Sequence, residues 1–242
     1  MLGGPDTLTG TVDPYTHKTS LYNGSGTDAA QPRSWTAWLY TPSGKCVQFV
    51  GMQMNDLKLN VVIDTLPTLD VSWTSLAATF VTAVPNTPGS VQPMAAWTAA
   101  ITVGAVAMSQ YSDFTLDLKR GTKPINTLTG NQSSTAIYSG EFSATGTMKA
   151  VYAGTTDPDL VNYITNAQPS IVCSINKPGD AAHTLTFQMS KIAYDTVAPT
   201  GGLSGWMDNA ITFKALTNAL DPVTGSISPL RVTYLTAQST SY

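Results

Sequence analysis

The side chains able to do chemistry are few and scattered. The chain has two histidines, His17 and His183, and two cysteines, Cys46 and Cys173. No HxxxH or CxxC spacing places two ligands side by side, as a zinc or non-haem iron centre needs, so no metal or other cofactor is expected. Asp113 and Asp117 fall on the same side of a strand-like run, about 13 Å apart at ~3.3 Å per residue. That exceeds the roughly 5 to 9.5 Å that glycosidic cleavage uses. Asp157 and Asp159 read instead as the start of a helix, where carboxylates meet the positive end of the backbone dipole. Gly201-Gly-Leu-Ser-Gly205 has neither the lysine nor the following helical pattern of a phosphate loop and reads as a flexible connection. A Ser-His-Asp set built on His183 would need partners that nothing in the spacing selects. The five tryptophans, at 35, 38, 73, 97 and 206, sit mostly in strand-like runs where core packing is their usual role, although a sugar platform is an alternative. Catalytic residues are therefore none.

The elements that carry these residues are legible as short β-runs. Phe114, Leu116 and Leu118 alternate with Asp113, Thr115, Asp117 and Lys119, a period of two that sends one set inward and leaves the other wet. Leu57, Leu59, Val61 and Ile63 do the same against Lys58 and Asn60, and Phe142 to Tyr152 against Ser143, Thr145, Thr147 and Lys149, with Gly146 marking a bulge or a close backbone approach. Shorter candidates are Ser34–Tyr40, Cys46–Met52, Leu69–Leu76, Trp97–Val103, Ile171–Ile175, Leu185–Met189, Ile211–Leu216 and Leu230–Leu235. One segment near 157–166 breaks the pattern: Thr156 or Asp157 can cap, Pro158 suits a first turn, and Leu160, Tyr163 and Ile164 recur at helical spacing before Pro169. The expected fold is all-β with one short helix, an antiparallel sandwich or barrel flanked by that helix. Residues 1–32 read as an irregular N-terminal arm, 33–218 as the β-domain and 219–242 as a C-terminal segment.

The 242-residue chain carries 12 Lys+Arg and 15 Asp+Glu, so only 11% is charged, with a net charge of -3. An ordinary domain carries about 25%. A surface of hydroxyls and amides gives up repulsion between copies and tolerates burial against itself. It lacks the concentrated cations of a duplex-binding protein. The start, Met1-Leu-Gly-Gly-Pro-Asp, has no cationic or apolar leader pattern and no run of about 18 apolar residues occurs, which favours folding in a cytoplasm with no membrane contact; Cys46 and Cys173, inside strand-like runs, read as buried free thiols, with a disulfide as the alternative.

Specific stretches carry a resemblance. Gly-Lys-Cys-Val-Gln-Phe-Val-Gly-Met-Gln-Met-Asn-Asp-Leu-Lys-Leu over 44–59, Trp-Thr-Ala-Ala-Ile over 97–101, Phe-Thr-Leu-Asp-Leu-Lys-Arg over 114–120, Tyr-Ser-Gly-Glu-Phe-Ser-Ala-Thr-Gly-Thr-Met over 138–148 and Ala-Ile-Thr-Phe-Lys-Ala over 210–215 resemble, in that order, the major tail tube proteins of long non-contractile-tailed bacteriophages. The resemblance implies a virion protein, assembled in the bacterial cytoplasm as homo-hexameric rings stacked into a hollow tube through which genomic DNA passes. Its implied partners are further copies, a tape-measure protein, and tail initiator and terminator proteins; it implies no enzymatic activity. A channel wall that must not hold DNA should avoid clustered cations. The expected lumen-lining residues are Lys58, Asn60, Asp113, Thr115, Asp117, Lys119, Ser143, Thr145, Thr147 and Lys149. The arm before Arg33, the loop from Gly121 to Thr135 and the tail after Leu220 are expected to contact neighbouring rings. Rival readings are another phage β-protein, such as a tail terminator or capsid decoration protein, a pilus-like subunit, or a carbohydrate-binding module.

Overall fold

The expected alternation becomes a two-sided sheet. Phe114, Leu116, Leu118, Phe142, Ala144 and Met148 are buried, while Lys119, Thr145, Thr147 and Lys149 between them are exposed. The computed structural model describes residues 6–21, 34–41, 45–82, 93–128, 133–201, 207–217, 219–221, 227–237 and 239. Gly202 to Gly205, Trp206 and parts of the N-terminal arm, of the 121–135 loop and of the C-terminal segment lie outside the described residues.

Fifteen strands and one α-helix are described. They are β1 (Thr7–Thr9), β2 (Tyr15–Leu21), β3 (Trp35–Tyr40), β4 (Lys45–Val62), β5 (Thr68–Thr74), β6 (Ala77–Thr82), β7 (Ala100–Val103), β8 (Val106–Met108), β9 (Tyr111–Ile125), β10 (Ala136–Val151), α1 (Pro158–Ile164), β11 (Ile171–Lys177), β12 (Asp180–Met189), β13 (Ile192–Thr200), β14 (Asp208–Ala215) and β15 (Leu230–Thr236). Sheet 1 runs β1-β2-β15-β12-β11-β7-β8, and sheet 2 runs β13-β14-β10-β9-β4-β3, with β5 and β6 also paired to β4. Every named pairing is antiparallel. The sheets pack as a sandwich and do not close into a barrel.

The core lies between them. Sheet 1 gives Ile171, Cys173, Ile175, Phe187, Met189 and Leu230; sheet 2 gives Leu57, Leu59, Phe114, Leu116, Ile211 and Phe213. Phe114 and Phe213 stack with centroids 6.1 Å apart. Each such side chain contributes about 1.5–3 kcal/mol through removal from water. Both cysteines are free and buried, and burial pushes the Cys173 thiol up to about 12.

Two of the departures from expectation concern segments read as irregular. Residues 7–9 and 15–21, read as irregular, form β1 and β2; β2 pairs along its whole length with β15. His17 is thereby buried, its ring 2.7 Å from Asp6 Oδ2. The partner strand lies more than two hundred residues away in sequence, so no local pattern announces the pairing. The 121–135 loop is also shorter than expected, because β9 continues to Ile125 and pairs there with Ala136 at the start of β10.

Strand β4 organises sheet 2. Its second half pairs with β5 on one edge and β9 on the other; its first half pairs with β6 and β3. Gly51, at φ +63, sits where the partner changes from β6 to β5. Only glycine adopts that backbone freely, and a β-carbon there would stand 2.4 Å from Leu76 Cδ1. Beyond this joint β3, β6 and the first half of β4 form a three-stranded extension that meets the rest of the fold chiefly through β4.

Helix α1 forms because its first turn is locally satisfied. Asp157 accepts from the Asp159 and Leu160 amides at 3.1 and 3.2 Å, and Pro158 follows at the first helical position. The helix lies on β13.

Candidate functional site

The ten expected residues converge. The pairing register places all of them on the outer face of sheet 2, on β4, β9 and β10, with β5, β13 and β14 extending the surface. Because antiparallel partners share a face, the register can be read as rows crossing the sheet.

One row is Thr196, Thr212, Thr147, Thr115, Asn60 and Thr68, across six strands and without a charge. At about 4.8 Å per strand it is about 24 Å wide. Threonine suits it twice: the β-branch favours a strand, and the hydroxyl bonds across it. Thr196 and Thr212 hydroxyls lie 2.7 Å apart, Asn60 Nδ2 donates to Thr68 Oγ1 at 3.4 Å, and Thr115 donates to Asn60 Oδ1 at 3.5 Å. Part of the row's polar capacity is consumed within the row.

Charged rows flank it. On one side run Lys214, Thr145, Asp117, Lys58 and Asp70; beyond them run Ser143, Lys119, Asp56 and Ser72. On the other side Lys149 faces Asp113. Lys119 Nζ lies 3.1 Å from Asp117 Oδ2, and Lys149 Nζ lies 3.0 Å from Asp208 Oδ2. Those hydrogen bonds, and the carboxylate charges behind them, raise both lysines above their ordinary range. Lys58, Lys119, Lys149 and Lys214 thus share the face with Asp56, Asp70, Asp113, Asp117 and Asp208, an excess of one negative charge.

A second surface is apolar. Leu39, Val47 and Phe80 form one row of the three-stranded extension, and Ala37, Phe49 and Ala78 the next row on the same face. Phe80 is 78% exposed and Leu39 58%. A contiguous exposed apolar patch of this kind marks an interaction surface. The alternation there puts apolar residues on both faces of β3, so sequence periodicity alone does not reveal which face is bare.

Nothing assembles a reaction centre among the described residues. No group of three or more His, Cys, Asp or Glu side chains stands within reach of one metal ion. His183 Nδ1 is bound to Asp180 at 2.6 Å, with Asp13 3.5 Å from its other nitrogen, a clasp between the β11–β12 hairpin and the turn before β2. A hollow of ≈ 210 Å³ at the end of the sandwich is lined by Trp97, Ile63, Met108, Ser112 and Asp113 and gathers a single carboxylate. Exposed Trp38 and Trp97 stand against opposite ends of β4, too far apart to make a shared platform.

A buried polar cluster belongs to α1. Asp159 is fully buried and accepts hydrogen bonds from the Tyr111 and Tyr194 hydroxyls, both at 2.7 Å. Burial raises its carboxyl above the ordinary range against the pull of the two tyrosines. The arrangement pins the helix to β9 and β13, a role that the sequence does not show because the tyrosines are 48 and 35 residues away.

The family model that describes the phage tail tube protein matches residues 1–215, most of the chain. The chain belongs to that family. No curated protein matches it. Phage tail tube proteins are structural components of the virion. No helix among the described residues of this tail tube protein is long and apolar enough to cross a membrane.

Proposed function

We propose that copies of this chain form hexameric rings that stack into the hollow tail tube, with the outer face of sheet 2 turned to the channel through which DNA passes. The observation that carries this reading is the uncharged six-strand row flanked by lysines opposite aspartates. Duplex DNA sticks to proteins by exchanging its counterions for Lys and Arg, each phosphate contact adding to affinity. A wall of hydroxyls and neutralised lysines offers little such exchange, so the polymer slides. Lys58, Asn60, Asp113, Thr115, Asp117, Lys119, Ser143, Thr145, Thr147 and Lys149 are the lining residues in this reading.

The bare apolar face of β3, β4 and β6 is the matching self-association surface, since an exposed Phe80 and Leu39 gain most by burial against another copy. Contact between unlike patches of one chain generates rings or open filaments rather than closed dimers. Assembly takes place in the host cytoplasm, on an initiator, around a tape-measure protein, and ends at a terminator. The N-terminal segment and the tail after Leu220 contribute further contacts; because β1 and β2 belong to sheet 1, removing residues 1–30 also strips the edge of β15.

Negative-stain micrographs of the purified protein test the reading. Hollow filaments are expected. Isolated closed rings would favour a terminator, and single or trimeric particles a decoration protein.

A further inference from the structure

Among the described residues, Lys119 and Lys149 are the two cations of the polar face that form an ion pair, and both remain reachable: their side chains are 60% and 50% exposed. Each stands among two carboxylates. Lys119 contacts Asp117 at 3.1 Å and faces Asp56 across the strand pair; Lys149 contacts Asp208 at 3.0 Å and faces Asp113. The second carboxylate of each group is itself held in place. Asp56 accepts from Asn55 Nδ2 at 2.7 Å and from Ser72 Oγ at 3.0 Å, and Asp113 accepts from Ser112 Oγ at 2.9 Å.

An ammonium carries three donors, and on an exposed sheet it would ordinarily turn one of them to a passing phosphate. Two flanking carboxylates change that outcome. They occupy a donor, and they make the local potential negative within the Debye length of about 8–10 Å over which a phosphate is sensed. The hydrogen bond from each lysine to its carboxylate also raises its pKa, the expected mark of an ammonium favoured by that partner.

We infer that Asp117 and Asp208 are shielding residues, whose function is to keep Lys119 and Lys149 from capturing a nucleic-acid backbone. The use of such shields rests on the reading of this face as the channel wall. Their action on a polyanion belongs to the face itself and is measurable on the free chain. Both aspartates lie at the surface of strands whose buried faces they do not touch, so Asp→Asn leaves the core unchanged while removing the shield.

The test is fluorescence anisotropy of a 30-base-pair duplex titrated with wild-type protein and with D117N/D208N, each kept below the concentration at which filaments form, between 20 and 200 mM NaCl. The wild-type chain is expected to bind weakly with a shallow salt dependence. Two released lysines add about 2 to the slope of log affinity against log salt, at ~0.9 per phosphate contact, so affinity should fall about 60-fold more steeply across that tenfold range. Adding K119Q and K149Q should abolish the gain. D13N, which changes the net charge as D117N alone does but lies beside His183 on the sheet 1 side, should not reproduce the D117N gain. An unchanged slope in D117N/D208N, a gain in D13N equal to that of D117N, or a gain that survives K119Q/K149Q would each overturn the assignment. The single variant D117N, expected to show half the added slope, guards against loss of folding in the double variant. Failure here leaves the channel reading standing, while an exterior location of the face in an assembled tube defeats the channel reading and leaves the duplex titration as it was.

Discussion

Phe213 lies with the tip of its ring directly over Gly146: a β-carbon on that glycine would stand 2.2 Å from Phe213 Cζ and 2.7 Å from the Thr115 carbonyl oxygen. Phe213 stacks on Phe114, so the glycine lets β10 approach the ring pair at the centre of sheet 2. The sequence left a bulge or a close approach open at this position, and the structure shows the approach, in unbroken register with Phe213 and Leu116.

Gly146→Ala should destabilise the fold by about 1–3 kcal/mol through overpacking, read as a lower urea midpoint. Adding Phe213→Leu should recover part of the loss and no more, because the Thr115 carbonyl stays in the way.

Asp157 is fully buried and accepts from three backbone amides, those of Ala153, Asp159 and Leu160, at 3.1–3.2 Å. Asp157→Ala should cost about 1–2 kcal/mol through loss of the cap, and Asp157→Asn less, since one carbonyl oxygen keeps the Asp159 and Leu160 bonds while its amide group cannot accept from Ala153. Equal losses in the two variants, measured by chemical denaturation, would show that the cap is not what the site requires.

Asp159 gives a pH signature. Its carboxyl titrates above the unfolded value of about 3.9, raised by burial although Tyr111 and Tyr194 donate to it. The folded chain therefore holds this proton more tightly than the unfolded chain. The favourable contribution is complete below the unfolded value and is lost as pH rises through the folded one. The stability of the wild type relative to Asp159→Asn should fall as pH rises above the unfolded value of about 3.9, as read from urea midpoints. A difference that does not move with pH would contradict the raised carboxyl.

Phe80 projects from the extension with 78% of its surface bare. Phe80→Asp should change folding stability by no more than an ordinary surface substitution, about ±0.5 kcal/mol, and abolish filament formation in sedimentation. Normal filaments from Phe80→Asp would remove the apolar face from the assembly.

What the sequence made legible is what local physics decides. Alternation at Ser112–Lys119 and Phe142–Tyr152 assigned inner and outer faces that the structure reproduces. Asp157 and Pro158 announced α1 through the capping geometry of one turn. Long-range pairing was hidden. The runs at Cys46–Met52 and Asp56–Ile63 are one 18-residue strand, β4, bent at Gly51. Strand β13 escapes because a register shift near Asp195 breaks its alternation and Pro199 falls within it. Ten candidate residues were visible as wet positions on separate strands; their assembly into rows, and the carboxylate beside each of Lys119 and Lys149, required the register.

The most direct test is a cryo-electron microscopy map of the assembled tube, traced far enough to place the side chains of β9 and β10. Thr115 and Thr147 are expected to face the axial channel, with Phe80 buried between copies. Finding Thr115 and Thr147 on the outer wall, and Phe80 in solvent, would contradict the channel reading.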